Sequence, residues 1–68
     1  MPEDVSDWLP GARQALGMTQ DELAAALGPA RNTIARWERG ERLVEHGAML
    51  RLALEALARR RRVTLELP

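Results

Sequence analysis

Apolar positions recur at helical spacing four times along this chain, and the first three stretches each end at a glycine. Leu9, Ala12 and Leu16 share one side of a first helix with Arg13, predicted to start from Ser6 or Asp7 as cap and to stop at Gly17. Pro10 is tolerable there, because the first turn has few backbone N–H groups with partners to lose. Thr19 and Glu22 have the spacing of a capping box and open a second helix, Gln20 to Leu27, with Leu23, Ala24 and Leu27 as its buried stripe. Gly28 and Pro29 break that helix and begin a turn of about three residues. A third helix, Arg31 to Arg39, is stopped by Gly40; it places Ala30, Ile34 and Trp37 on one side and Asn32, Ala35, Arg36 and Arg39 on the other. The fourth runs from His46 or Gly47 to Ala58, with Met49, Leu50, Ala53, Leu54 and Leu57 as its core face. On its wet side Arg51 with Glu55, and Glu55 with Arg59, form i,i+4 pairs worth about 0.3–0.5 kcal/mol each. The period then changes: Val63, Leu65 and Leu67 alternate with Thr64 and Glu66, which predicts a short C-terminal strand. No other strand is predicted for it to pair with.

Composition agrees with helices. The 68 residues suffice for one domain, divided as a flexible N-terminus (1–5), a helical domain (6–58) and an arginine run with the strand (59–68). The 46% hydrophobic content is mostly Ala and Leu, with Trp8 and Trp37 the only aromatics. Cysteine is absent, so disulfides and thiolate metal sites are excluded. No apolar run approaches the roughly 18 residues of a membrane span, and no leader pattern is visible, so the expected location is cytoplasmic. The net charge is zero, but its distribution is uneven. Residues 1–30 set five carboxylates against Arg13 alone, whereas residues 31–68 set nine arginines against five glutamates. All ten cations are Arg, which suits forked recognition of phosphate and guanine and is equally a product of base composition.

Two short helices joined by a tight glycine turn, with a small residue in the first to admit the second, make a helix-turn-helix unit. Gln20, Leu23, Ala24, Leu27, Gly28, Ile34, Trp37, Glu38 and Gly40 carry the pattern within MTQDELAAALGPARNTIARWERGER. This stretch resembles the XRE or phage-repressor (Cro/CI-like) family over about residues 8–58. The resemblance implies an all-α, compact four-to-five-helix lambda-repressor-like domain. It implies that the helix beginning at Arg31 enters the major groove of double-stranded DNA, with Arg31, Asn32 and Arg36 against base edges. Gln20, Thr33, Arg39 and Arg42 then fall to the phosphates, and Arg13 with Glu38 to a structural ion pair. Two departures stand out. Pro29 and Ala30 replace the family's apolar residue and Ser/Thr cap, and RLVEHGAM replaces its usual Pro-Ser entry to the fourth helix, so contacts from Leu43 to Gly47 do not carry over.

Other residues have plainer readings. Trp37 beside Ile34 reads as core rather than as a base-stacking platform. His46 has no second His or Cys near it and reads as a loop residue, so neither metal nor cofactor is expected. Arg59 to Arg62 fit a phosphate clamp, an acidic partner or a solvated helix end. For the strand three readings stay open: pairing with a twofold mate through Val63, Leu65 and Leu67, folding back as an arm, or ordering only on a partner; dimerisation is preferred. No nucleophile with a base beside it, no paired carboxylates and no phosphate loop suggests an enzyme. The expected function is a dimeric, sequence-specific transcriptional regulator, an autorepressor on an inverted-repeat operator. The alternative is an antitoxin or adaptor that uses the same fold to hold another protein.

Overall fold

A computed structural model describes all residues, 1–68. Its elements are four helices, α1 (Leu9–Ala15), α2 (Gln20–Leu27), α3 (Arg31–Glu38) and α4 (Gly47–Arg61). The fold is thus an all-α domain containing a helix-turn-helix. Leu9, Leu23, Ile34 and Leu54, one from each helix, are completely buried together with Val5. Each such side chain stabilises the fold by about 1.5–3 kcal/mol relative to exposure.

α2 has both ends anticipated. The Thr19 hydroxyl accepts from the Glu22 backbone N–H at 3.1 Å, and the Glu22 carboxylate accepts from the Thr19 N–H at 2.8 Å. At its other end Gly28 adopts φ +105°, a conformation that L side chains rarely take, and donates to the Ala24 carbonyl at 2.8 Å. That corner lets α3 pack on α2 next to the small, buried Ala24.

Several expectations need correction. Residues 1–5, expected as a separate flexible start, pack into the domain: Val5 is wholly buried, and Glu3 and Val44 exchange both backbone hydrogen bonds at 2.9 and 2.8 Å. One valine in a polar pentapeptide gives no periodic signal, although its burial anchors the segment. The cap of α1 is Trp8 without a side-chain bond, not Ser6 or Asp7, and the entry turn is closed by the Trp8 and Leu9 N–H groups on the Val5 carbonyl. On α3, Ala35 is buried rather than solvent-facing: it adjoins the nearly buried Glu38 on the helical wheel, and a single methyl is easily covered. Ala30 is exposed, because it precedes the helix as its cap.

On α4 the buried face is narrower than expected. Gly47, Leu50, Leu54 and Ala58 are buried, while Met49 and Leu52 are 68% and 67% exposed. The helix also continues past Ala58 to Arg61, since cations are stabilised at a helix C-terminus. Arg51 makes no pair with Glu55. It binds the carboxylate of Glu3, donates to the Pro68 carbonyl at 2.7 Å and lies 5.2 Å from the Trp8 ring centre. Gly47 allows this approach, because a Cβ there would collide with the Glu3 carboxylate.

Residues 63–68 belong to no regular element within the chain. Their alternation is nonetheless preserved: Val63, Leu65 and Leu67 are half-buried between exposed neighbours, with Leu65 and Leu67 packed on the core.

Candidate nucleic-acid interface

The geometry of α3 follows from its apolar anchor. Ile34 is fully buried and Trp37 is half-buried against the same core, so the helix is held by one side. Arg31, Asn32, Arg36 and Arg39 are exposed, and Thr33 is half-buried. The indole N–H of Trp37 finds no acceptor within the chain, and the ring packs against the core. As the sequence suggested, Ala30 supplies no side-chain cap. The backbone N–H groups of Arg31 and Asn32 consequently have no acceptor in the chain.

The orientation of α3 against α1 and α2 is fixed by a partly buried cluster. Arg13 donates through Nε to Glu38 Oε2 at 2.7 Å and through Nη2 to Glu38 Oε1 at 3.1 Å. Its Nη1 reaches the Met18 carbonyl at 3.0 Å. Hydrogen bonding to Glu38 pushes the Arg13 pKa up against the opposing effect of burial, so the guanidinium is always charged. Gln20, expected at a phosphate, points its Nε2 to Glu38 Oε1 at 3.1 Å. The amide carries a second N–H, so one donor remains for another acceptor.

The arginines divide into two sets. Arg13, Arg31, Arg39 and Arg51 are paired with Glu38, Asp21, Glu41 and Glu3. The Arg31–Asp21 contact is 3.4 Å between exposed groups, so it contributes little and is readily exchanged. Arg39 and Glu41 are 2.7 Å apart; their hydrogen bond raises the arginine pKa and lowers that of the glutamate. Arg36, Arg42 and Arg59 to Arg62 have no carboxylate partner. A chain of zero net charge therefore presents unneutralised cations in two places, on and just after α3 and at the end of α4.

The structure thus brings Arg31, Asn32 and Arg36 onto the exposed part of α3, with Arg39 as its C-cap and Arg42 two residues beyond Gly40. Val63, Leu65 and Leu67 lie elsewhere, the last two beside Trp8 and Ala12. Arg51 and the Gln20–Glu38 bond escape sequence reading, since both depend on residues distant in the chain. Beside α3 lies an open, largely apolar groove of 550 Å³, bounded by Leu27, Pro29, Trp37, Leu43, Met49 and Ala53. No group of His, Cys, Asp and Glu side chains is placed to hold a metal ion. No helix is long and apolar enough to cross a membrane.

Comparison with known protein families shows that a helix-turn-helix family model matches residues 12–59. No curated protein and no solved structure matches the chain.

Proposed function

This chain belongs to the XRE (Cro/CI-like) helix-turn-helix family of DNA-binding transcription regulators, and on that premise we propose that it is a dimeric autorepressor of an inverted-repeat operator. The observation that carries this reading is the two-sidedness of α3. Ile34 is fully buried, while Asn32 and Arg36 are exposed and uncommitted to any partner in the chain.

In this reading α3 enters the major groove. Arg31 and Arg36 address guanine O6 and N7, Asn32 addresses adenine N6 and N7, and each bidentate contact discriminates by about 1–3 kcal/mol. Arg31 first releases Asp21. The free N–H of Gln20, with Thr33, Arg39 and Arg42, takes phosphate oxygens and supplies the salt-sensitive affinity. Repression follows from occupying a promoter in the cytoplasm, on the nucleoid.

Dimerisation through residues 63–68 fits their packing. The backbone N–H groups of Thr64 to Leu67 donate to nothing within the chain, while the alternate side chains rest on their own core. An arm laid down in this way keeps an open edge for the arm of a twofold mate. Two α3 helices are then presented to half-sites about one helical turn apart.

Selection of bound duplexes from a random library tests the reading, and a palindromic motif is the expected result. Arg36→Ala is expected to weaken the selected duplex roughly 5- to 150-fold and to relax preference at one position in each half-site. An unchanged affinity and motif would refute the assignment.

The second reading, an antitoxin or adaptor, is favoured by the apolar groove and by Met49 beside it, an exposed methionine at a site where a partner's side chains would fit. It wins if Arg36→Ala leaves promoter binding intact while Met49→Glu abolishes capture of a co-purifying protein.

A further inference from the structure

The arginine run is not a loose tail. Arg59, Arg60 and Arg61 form the last turn of α4, and Arg62 caps it at φ +57°. All four are exposed, and none has a carboxylate partner. Their position is set by Arg61, whose Nη1 donates at 3.0 Å to the carbonyl of Leu16, three residues before the cap of α2. Arg61 also helps to lower the pKa of Glu22, in the first turn of α2. That same turn also reaches α3, through Gln20 on Glu38. The beginning of α2 is therefore linked both to the end of α3 and, through the preceding Leu16, to the arginine run.

In a helix-turn-helix domain the first helix of the pair crosses the DNA backbone while the second occupies the groove. Here the first turn of that crossing helix carries two carboxylates, Asp21 paired with Arg31 and Glu22 accepting from the Thr19 N–H. Resting on the DNA-binding reading above, we infer that Arg59, Arg60 and Arg62 form a second phosphate-binding patch, which extends the interface past the start of α2 onto backbone outside the bases read by α3. The run adds unpaired cations near a turn whose own carboxylates are taken up by Arg31 and by the Thr19 N–H. None of the large exposed apolar side chains, Met1, Leu43, Met49 and Leu52, belongs to it. A cluster of exposed guanidinium groups suits the repeated charges of a phosphodiester backbone better than the mixed surface of a protein.

The test uses the full chain and the duplex selected from the random library. Binding constants are measured across a salt series for wild type, for Arg59→Gln/Arg60→Gln/Arg62→Gly and for Arg59→Lys/Arg60→Lys. Arg61 is retained because it holds Leu16, and glycine suits the left-handed cap at position 62. The neutralised variant is expected to show a slope of log K against log salt shallower by about 0.9 for each phosphate it no longer neutralises, with an unchanged sequence motif. The lysine variant is expected to keep the wild-type slope. An unchanged slope in the neutralised variant, or a weaker affinity at the wild-type slope, overturns the inference. Such a result with Arg36→Ala still impaired removes this patch alone; failure of wild type to select any duplex removes the DNA reading and the patch with it. Should the triple variant lose its helical signal, Arg59→Gln/Arg60→Gln, which leaves the cap intact, is read by the same criteria.

Discussion

Glu38 is the residue on which three elements converge, and its side chain is only 7% exposed. It accepts from Arg13 on α1 and from Gln20 on α2 while belonging to α3. Arg13→Met keeps the aliphatic stem but leaves that carboxylate with Gln20 alone, at an expected cost of about 1.5–3 kcal/mol. For a domain of this size, thermal unfolding should show a midpoint lowered by roughly 10 °C or more. Adding Glu38→Gln should restore part of the loss, because the uncompensated charge goes; further loss would assign the cost to packing. The pair itself is legible through family resemblance. Ala35 is not, since a small residue at the edge of an apolar stripe falls on either side of the boundary. Spacing along α4 points Arg51 to a local pair with Glu55, and only folding brings Glu3 to it.

Elements are legible where their signals are local. The span of α2 agrees at both ends because Thr19, Glu22 and Gly28 each act within one turn. α4 outruns its expected end at Ala58, where the apolar period stops, and the run to Arg61 takes the helix-end reading, since a helix C-terminus favours cations. The box at α2 gives a second prediction. Thr19→Ala should cost about 1 kcal/mol in urea unfolding. Hydrogen bonds from the Thr19 backbone, and then with its hydroxyl, hold the Glu22 pKa below its ordinary 4.5. A depressed carboxylate stabilises the fold above its unfolded value and loses that contribution as pH falls through the folded one. The stability of wild type should therefore decline below pH 4.5, and Glu22→Gln should flatten part of that decline. An identical pH profile would show that the box has no titrating share in stability.

For the whole molecule, the all-α architecture and the helix-turn-helix are readable because period, cap and corner agree over residues 19–40. What escapes the sequence is the closure: a five-residue start that supplies Val5 to the core, and a tail whose apolar side chains rest on their own chain. The tail gives a third prediction. On the proposed dimer, removal of residues 63–68 should leave a monomer by sedimentation equilibrium and sharply weaken binding to the proposed inverted repeat, while a single half-site keeps its preference. A truncated chain that still sediments as a dimer would move the interface elsewhere, with the groove beside Trp37 the next surface to examine. The grip of Arg51 on both Glu3 and the Pro68 carbonyl has a wider consequence. One guanidinium thus ties two segments far apart in the sequence to the same helix, so that a change at position 51 is felt in both.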